Sequence, residues 1–368
     1  MRRPLIESAW EGYADIVELL LEFDCNINKS DKFGRTPLFV ACLLGKSEVV
    51  HVLLEKNAMQ SLCDENKQSP LLVASRGGYD NIVEYLLQEN ADVNLCDLKG
   101  NSPLLVATSE SPLSTVKLLS SKINDFSKCN LQGQTPILTA TIHRRIDVLQ
   151  YLLPFCKEHV SKPDNDGRSP LFIACKKGYS DVVQLLLSNH ADLSQLDWTK
   201  QRSPLFIAAA KGHADIVNIL IRNESKINQC DEEGRTPLFV ASEKGHTSTV
   251  KILVESGADL NITDQRKCTP LYAACRRGFI DIVKLLNENK ANITKFNKWN
   301  TSPLFAAYRQ GYLEIVKYLV ENRSTVTGSD YFVTIPSLVA SENEKTEIVN
   351  YLIQNGTDLN QSNQCKKT

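Results

Sequence analysis

Residues 34–54, GRTPLFVACLLGKSEVVHVLL, contain the pattern that decides the fold of this chain. The side-chain oxygen of Thr36 can accept a backbone N–H at the start of a helix. Pro37 suits the first helical position, because its missing N–H costs nothing there. Gly45 predicts a left-handed end to this short helix, and apolar residues at helical spacing predict a second helix after it. The stripe of that second helix is Val49, Val50, Leu53 and Leu54.

The same step recurs along the chain at a fixed period, with prolines spaced by 33 residues eight times and by 34 residues twice. Such a period is typical of stacked repeats, each of which buries its apolar face only against its neighbours. We therefore predict a single array over residues 1–368. Its eleven helix–turn–helix units start near residues 1, 31, 64, 97, 130, 164, 197, 231, 264, 297 and 330. The prolines are Pro4, Pro37, Pro70, Pro103, Pro136, Pro170, Pro204, Pro237, Pro270, Pro303 and Pro336.

Three segments of the chain resemble ankyrin repeats: GRTPLFVA (34–41), SPLFIACKKGYSDVVQLLL (169–187) and RTPLFVASEKGHTSTVKILVESGADLN (235–261). The resemblance implies an all-α ankyrin-repeat solenoid of helix pairs joined by β-hairpin-like turns. It also implies a scaffold or adaptor that binds a protein partner. One departure is that the family's usual histidine after the Pro-Leu pair is replaced here by an apolar or aromatic residue, such as Phe39 or Tyr272. This replacement predicts aromatic packing in place of a polar network.

Composition narrows the classes of function. The net charge is −1 and the isoelectric point is near 6.6, which disfavours nucleic acid as a partner. No apolar run approaches the length of a membrane-spanning helix, about 18 residues, so no membrane insertion is expected. The eleven cysteines recur at repeat positions and form no C-x-x-C pair. We therefore expect reduced structural thiols in a monomeric cytoplasmic or nuclear protein, with no metal and no cofactor.

The sequence offers no motif typical of catalysis, since neither G-x-S-x-G nor H-E-x-x-H occurs. His213 and His246 follow a turn glycine, at the position that Tyr79 and Tyr312 occupy in other repeats. Interchange with tyrosine indicates packing and hydrogen bonding. We therefore expect that the protein is not an enzyme.

Residues 105–165 depart from the repeat. The turn glycine is replaced there by Ser111 and Arg144, and again by Glu344 in the last unit. Pro112 lies between the helices of repeat 4, and Pro154 lies where the second helix of repeat 5 is expected. Proline inside a helix removes a backbone hydrogen bond. Either neighbouring repeats tolerate this drift, or the segment is a bend or hinge.

By the same resemblance, offsets −5, −4, −2, +6 and +7 from each proline line a concave face. In repeats 6 to 10, thirteen of these residues are basic and four are acidic. This clustering predicts an electropositive groove for an acidic or phosphorylated segment. Trp299 is placed to anchor an apolar side chain in it. The other predicted partner-binding residues are Arg168, Lys176, Lys177, Arg202, Lys211, Arg235, Lys244, Arg266, Arg276, Arg277 and Arg309.

Other interpretations of these basic residues stay open. Lysine and arginine are ordinary solvated residues at exposed helix positions. RNA or a phosphorylated small molecule would also suit a basic groove. The chain could equally be the recognition arm of a larger ubiquitin-ligase, signalling or channel protein.

Two turns match a modification motif of the family. Residues 86–94, LLQENADVN, and residues 253–261, LVESGADLN, resemble the turns that an asparagine hydroxylase modifies in ankyrin repeats. The resemblance implies that Asn94 and Asn261 are candidate acceptors. The alternative is that each asparagine only stabilises its turn.

Overall fold

The structure is a computed structural model that describes residues 4–23, 25–322 and 346–354. The predicted start of the eleventh repeat, with Pro336 and Glu344, lies outside the described residues. Each of the first ten repeats contains two α-helices, and no β-strand occurs in the described ranges. This confirms the predicted all-helical repeat solenoid.

The first helix of each repeat begins at the repeated proline, except in the eleventh repeat, of which only the second helix is described. The helices are α1 (Pro4–Glu11), α2 (Ala14–Glu22), α3 (Pro37–Leu43), α4 (Ser47–Glu55), α5 (Pro70–Gly77), α6 (Asp80–Gln88), α7 (Pro103–Glu110), α8 (Leu113–Ser120), α9 (Pro136–Ile142), α10 (Ile146–Leu152), α11 (Pro170–Lys177), α12 (Ser180–Ser188), α13 (Pro204–Lys211), α14 (Ala214–Arg222), α15 (Pro237–Lys244), α16 (Thr247–Glu255), α17 (Pro270–Arg277), α18 (Ile280–Glu288), α19 (Pro303–Gln310), α20 (Leu313–Glu321) and α21 (Thr346–Gln354).

The serine or threonine before the proline caps the first helix, as predicted. Thr36 Oγ1 accepts a hydrogen bond from the Phe39 N–H at 3.1 Å. A cap of this kind stabilises a helix by about 1 kcal/mol. The same bond recurs at Ser69, Ser102, Thr135, Ser169, Ser203, Thr236, Thr269 and Ser302.

The turn glycine meets two requirements at once. Gly45 has a φ of +70°, a conformation that favours glycine. A Cβ atom there would also lie 2.6 Å from the Tyr79 ring of the next repeat. Gly212 meets the ring of His246 at the same distance, and His246 Nε2 lies 3.3 Å from a backbone oxygen of the preceding repeat. This packing role matches the one expected for the histidine.

Neighbouring repeats bury each other's apolar faces. First helices pack on first helices, as α3 does on α1 and α5, and second helices pack on second helices, as α4 does on α2 and α6. Phe39 and Phe206, which replace the family's histidine, are each 2% exposed. Tyr272 at the same position is hydrogen-bonded through its hydroxyl to Thr301 Oγ1 at 3.1 Å. Aromatic packing therefore takes the place of the polar network, as the sequence indicated.

Single backbone hydrogen bonds join the tips of neighbouring turns. The Glu65 N–H donates to the Phe33 carbonyl at 3.0 Å, and the Gln265 N–H donates to the Glu233 carbonyl at 2.9 Å. Within a turn, the Asp31 N–H donates to the Arg35 carbonyl at 3.0 Å. The turns therefore resemble hairpins in their hydrogen bonding.

Two pairs of repeated prolines are 34 residues apart instead of 33, and in both cases the additional residue lies outside the helices. The turn from Asp197 to Arg202 has one residue more than its counterparts, yet the Asp197 N–H still donates to the Arg202 carbonyl at 3.0 Å. The Glu232 N–H likewise still donates to the Lys200 carbonyl at 3.0 Å. The other extra residue falls after α10, where the chain forms two short 3₁₀ turns, Leu153–Phe155 and Lys157–His159.

The described chain divides into two compact units. The N-terminal unit comprises Met1–Ala174 with Gln184–Ala191, and the C-terminal unit comprises Cys175–Val183 with Asp192–Thr368. Repeats 1 to 5 lie in the first unit and repeats 7 to 10 in the second.

The irregular residues of repeats 4 and 5 are accommodated locally. Helix α10 ends at Leu152, and Pro154 then lies in a 3₁₀ turn, where it interrupts no α-helix. Arg144 adopts a φ of +53° in place of the usual glycine, which is strained for a residue with a side chain. Ser111 is extended and donates its hydroxyl to the Ser75 carbonyl at 2.5 Å.

We predict that residues 105–165 exchange their amide protons faster than residues 205–290. This segment contains the short helix α10 and the strained backbone of Arg144. It also contains Ser111, which stands where other repeats have the turn glycine. In a stack held by nearest-neighbour contacts, the segment with the weakest neighbours opens first. Hydrogen–deuterium exchange with mass spectrometry measures this directly. Equal protection of the two segments would contradict the prediction.

Candidate protein-interaction surface

We call offsets −5, −4, −2, +6 and +7 from each repeated proline the inner positions. In the N-terminal unit, residues at these positions line one pocket of ≈ 540 Å³ between the turn tips and the first helices of repeats 3 to 5. In the C-terminal unit they line a smaller pocket of ≈ 90 Å³ in repeats 8 and 9. Inner-position residues around the first pocket include Asn66, Arg76, Lys99 and His143, and those around the second include Arg235, Glu243, Arg266 and Arg276.

An aspartate at the start of the turn organises the tips of repeats 2 to 4 and 6 to 9. Asp231 Oδ1 accepts the backbone N–H groups of Glu233 at 3.0 Å and Arg235 at 2.9 Å. Its other oxygen, Oδ2, accepts Arg235 Nε at 3.0 Å and Nη2 at 2.6 Å. The Asp231 side chain is fully buried, so the arginine compensates a charge that would otherwise be costly to bury.

The same pair recurs in two other turns that supply predicted binding residues. Arg168 Nη2 lies 2.7 Å from Asp164 Oδ2, and Arg202 Nη2 lies 2.7 Å from Asp197 Oδ2. These arginines therefore hold their own turns together, and their charge is largely offset there. The sequence analysis did not identify the aspartates, although their recurrence six or seven residues before the repeated proline was visible.

Glu243 pairs with two more predicted binding residues. Its Oε1 lies 2.9 Å from Arg276 Nη2 and 3.6 Å from Arg277 Nη2. Glu243 is mostly buried, whereas the Arg277 side chain is 55% exposed. Arg277 therefore keeps an open side toward solvent.

Other basic inner positions are exposed to solvent. Lys211, Lys244 and Arg266 are exposed, and across the described ranges no acidic side chain lies within salt-bridge distance of them. Lys176, Lys177 and Arg309 are exposed as well. These side chains are the part of the predicted groove that a partner could reach.

The two units differ in charge at their inner positions, with the turn aspartates included. Repeats 2 to 5 have four basic residues against five acidic ones. The inner positions and turn aspartates of repeats 7 to 10, with Lys176 and Lys177 of repeat 6, have twelve against six. The basic residues are Lys176, Lys177, Lys200, Arg202, Lys211, Arg235, Lys244, Arg266, Arg276, Arg277, Lys298 and Arg309, and the acidic ones are Asp197, Asp231, Glu232, Glu233, Glu243 and Asp264.

Trp299 lies at the turn tip of repeat 10, with 51% of its surface exposed. The Lys298 ammonium lies 4.5 Å from the centre of its ring, a cation–π distance. An exposed tryptophan beside basic residues is a common anchor in protein interfaces. The structure thus leaves the Trp299 ring accessible beside a positive charge.

The two modification candidates differ in their surroundings. Asn261 Oδ1 accepts the Asn292 N–H of the next repeat at 2.9 Å, and Asn28 and Asn228 make the equivalent bond. Asn94 is exposed, and its Oδ1 accepts Lys128 Nζ at 2.7 Å. Asn261 therefore has a clear structural role, and hydroxylation of Asn94 and Asn261 stays a prediction.

The described cysteines form no disulfide. Cys42, Cys175 and Cys275 are fully buried, and burial raises the pKa of each thiol. Cys63 and Cys96 lie in turns, where each thiol donates to the carbonyl two residues earlier. These positions agree with the packing and turn roles predicted from their repeat register.

A protein-family model described as "Ankyrin repeats (3 copies)" matches the chain at residues 5–97, 57–127, 104–197, 195–264 and 257–330. The chain therefore belongs to the ankyrin repeat family. Ankyrin repeats typically mediate protein–protein interactions and are generally not catalytic. The comparison with curated proteins gave no match. Among the described residues, no helix has the length and apolar character needed to cross a membrane.

Thr139 Oγ1 is an unpaired polar atom in the wall of the larger pocket. Thr139 is only 7% exposed, and its hydroxyl has no hydrogen-bond partner among the described residues. Valine or isoleucine occupies the equivalent position in other repeats, as at Val106. An unpaired buried hydroxyl costs about 1–3 kcal/mol.

We therefore predict that Thr139→Val stabilises the protein by about 1 kcal/mol. Chemical denaturation measures the change. Thr108→Val is the matched control, because Thr108 Oγ1 donates to the Leu105 carbonyl at 2.8 Å and its loss should bring no gain. Equal stabilisation by both changes would contradict this explanation.

The shifted pKa of the Asp197 carboxyl makes the stability of the fold depend on pH. Burial alone would raise its pKa, but hydrogen bonds from Arg202 and Thr199 outweigh burial and hold the pKa below its ordinary value. A carboxyl with a lowered pKa in the folded state stabilises the fold above its unfolded pKa, about 3.9. That contribution is lost as the pH falls through the folded-state pKa.

We predict that Asp197→Asn lowers the free energy of unfolding by about 2 kcal/mol at pH 7. The difference from the wild type should begin to shrink as the pH falls below about 4, the unfolded-state pKa, and should be lost below the lower folded-state pKa, where the wild-type carboxyl is protonated in both states. Urea denaturation at several pH values measures it. For Arg202→Gln, the difference in free energy of unfolding from the wild type should also shrink at low pH. If this difference does not depend on pH in either variant, the ion pair is not the cause.

Proposed function

We propose that this ankyrin repeat protein is a non-enzymatic scaffold or adaptor that binds an acidic or phosphorylated segment of a protein partner. The segment lies along the inner positions of the C-terminal unit, which form the concave face in this proposal. The protein acts as a monomer in the cytoplasm or nucleus and needs no cofactor. Residues 1–368 form a single array in this proposal, with no membrane insertion.

The observation that carries the proposal is the excess of basic over acidic side chains in that unit. Internal ion pairs offset part of the charge, but Lys211, Lys244 and Arg266 are exposed without an acidic partner in the described ranges. Carboxylate and phosphate groups bind such side chains through charge-assisted hydrogen bonds. An acidic segment would neutralise the excess along several successive repeats.

The paired arginines have a different part in this proposal. Arg235 is held by Asp231 and also lies 3.4 Å from Glu233 through Nη1. Burial alone would lower its pKa, but the bond to Asp231 and nearby carboxylates raise it, so its positive charge is secure. Arg202 is held in the same way by Asp197. In this proposal these arginines hold the turn tips in shape, and the exposed lysines contact the partner.

The small volume of the pocket in the C-terminal unit favours an extended segment over a small molecule. Pockets for small molecules usually measure about 300–1,000 Å³, whereas the pocket of repeats 8 and 9 measures ≈ 90 Å³. Basic side chains instead recur over several repeats. If the chain is the recognition arm of a larger protein, the same surface supplies its binding.

Charge reversal at exposed inner positions tests the proposal. We expect Lys211→Glu with Lys244→Glu to weaken binding of a fluorescein-labelled peptide of aspartate, glutamate and phosphoserine by about tenfold or more. The loss should be larger at low salt, because exposed charges are screened by ions. Fluorescence anisotropy at two ionic strengths measures both effects. The fold should persist, since both lysines are exposed.

Lys32→Glu with Lys99→Glu is the matched control. Both lysines are exposed inner positions of the N-terminal unit, so the variant carries the same change of charge elsewhere. We expect it to bind the peptide as the wild type does. If both double variants lose binding equally, or neither loses it, the basic residues are ordinary surface charge. Tighter binding of single-stranded RNA than of the acidic peptide would favour the RNA alternative.

A further inference from the structure

The second helix of repeat 1 presents an unusual apolar surface. Tyr13, Ile16, Leu19 and Phe23 are 55%, 45%, 53% and 76% exposed. Together with Leu20, which is half-buried, they form what we call the end face. Ile16, Leu19, Leu20 and Phe23 follow the spacing of one helix face. Four of the large exposed apolar side chains of the described chain thus lie within eleven residues.

The end face corresponds to a surface that is covered in other repeats. Val49 and Ile82 occupy the position of Ile16 and are 0% and 1% exposed. Leu53 and Leu86 occupy the position of Leu20 and are fully buried. In those repeats the second helix of the preceding repeat packs there, as α2 packs on α4. The end face therefore has the shape and chemistry of a surface that receives a helix.

The charged side chains of repeat 1 within residues 4–23 are of one sign. Residues 4–23 contain five acidic residues and no lysine or arginine. They are Glu7, Glu11, Asp15, Glu18 and Glu22. A helix that covers the apolar ridge would meet these carboxylates along its edges.

Contacts between other second helices show what such a surface accepts. The Lys117 ammonium lies 5.7 Å from the centre of the Tyr151 ring in the next repeat. The Lys284 ammonium lies 5.9 Å from the Tyr318 ring in the same arrangement. In each case a basic residue of the preceding helix packs on the position that Leu19 occupies in repeat 1. Glu18 itself lies 4.0 Å from Lys56 of α4.

We propose that the end face is a docking site for one amphipathic helix that carries basic residues beside its apolar stripe. The apolar stripe packs on Ile16, Leu19, Leu20 and Phe23, and lysine or arginine side chains pair with Asp15 and Glu22. This is the mode in which a helix lies in an apolar groove. The site is independent of the proposed function, since it lies in the other unit and has the opposite charge.

Two fluorescein-labelled peptides of about 18 residues, a length of about 27 Å as a helix, test the proposal on the full chain. Both have leucine at helical spacing, one with lysine and the other with glutamate at the remaining positions. We expect the lysine peptide to bind at least about tenfold tighter than the glutamate peptide in fluorescence anisotropy. Equal binding of the two peptides would overturn the proposal.

Leu19→Lys with Phe23→Lys should weaken binding of the lysine peptide by about tenfold or more. Leu98→Lys with Leu131→Lys is the matched control, since these apolar side chains are also exposed, 53% and 71%, and lie in turns of the same unit. It should bind as the wild type does. Equal losses in the two double variants would show that the peptide binds elsewhere.

Asp15→Asn with Glu22→Gln separates charge from apolar contact. We expect weaker binding and a smaller dependence on salt, because fewer ion pairs form. Sedimentation velocity of the wild type without peptide tests whether a second copy of the chain occupies the end face. Self-association that the Leu19→Lys, Phe23→Lys variant abolishes would assign the end face to a second copy and overturn the proposal.

Discussion

The distance between neighbouring repeats is set where a ring of one repeat lies on a glycine of the repeat before it. At Gly45, Gly212 and Gly278, a Cβ atom would lie 2.6–2.7 Å from the ring of the following repeat. No side chain fits in that space, and the positive φ disfavours one as well. The burial of each helix pair and the bonds between turn tips both depend on this spacing. Repeats 4 and 5, which lack the glycine, therefore need their own solutions at Ser111 and Arg144.

The turn carboxylates link the fold to the surface charge. Asp164, Asp197 and Asp231 each accept at least one backbone N–H of their turn and hold an arginine. Each arginine therefore stabilises its own turn, and only its open side faces solvent. Lys211 and Lys244, on the last turn of the first helix, have no such structural role, because they extend from the helix ends into solvent. Paired and solvent-exposed charges are thus separated along repeats 7 and 8.

Local signals in the sequence were enough to predict the helices. The Ser/Thr-Pro step, the turn glycine and the apolar stripe each act within a few residues, so Thr36, Gly45 and Leu53 have the roles expected of them. Pro154 marked repeat 5 as irregular, and α10 ends two residues before it.

The surface was harder to predict, because charge compensation depends on side-chain geometry. A count of basic residues at inner positions could not show that Arg202 is clamped by Asp197 or that Glu243 holds Arg276. The exposed face of α2 was missed for a related reason, since its apolar spacing is the same as that of a buried helix. Only the neighbours in space distinguish Ile16 from Ile82.

The turn from Asp197 to Arg202 shows that a tip can lengthen without any change to the helices behind it. Its additional residue leaves the Asp–Arg pair and the link to the next tip intact, while Trp198 and Lys200 extend into solvent. Helix packing and tip length can therefore vary separately. Over evolutionary time, or in protein engineering, such a tip is a place where recognition loops of different length could be grafted onto an unchanged scaffold.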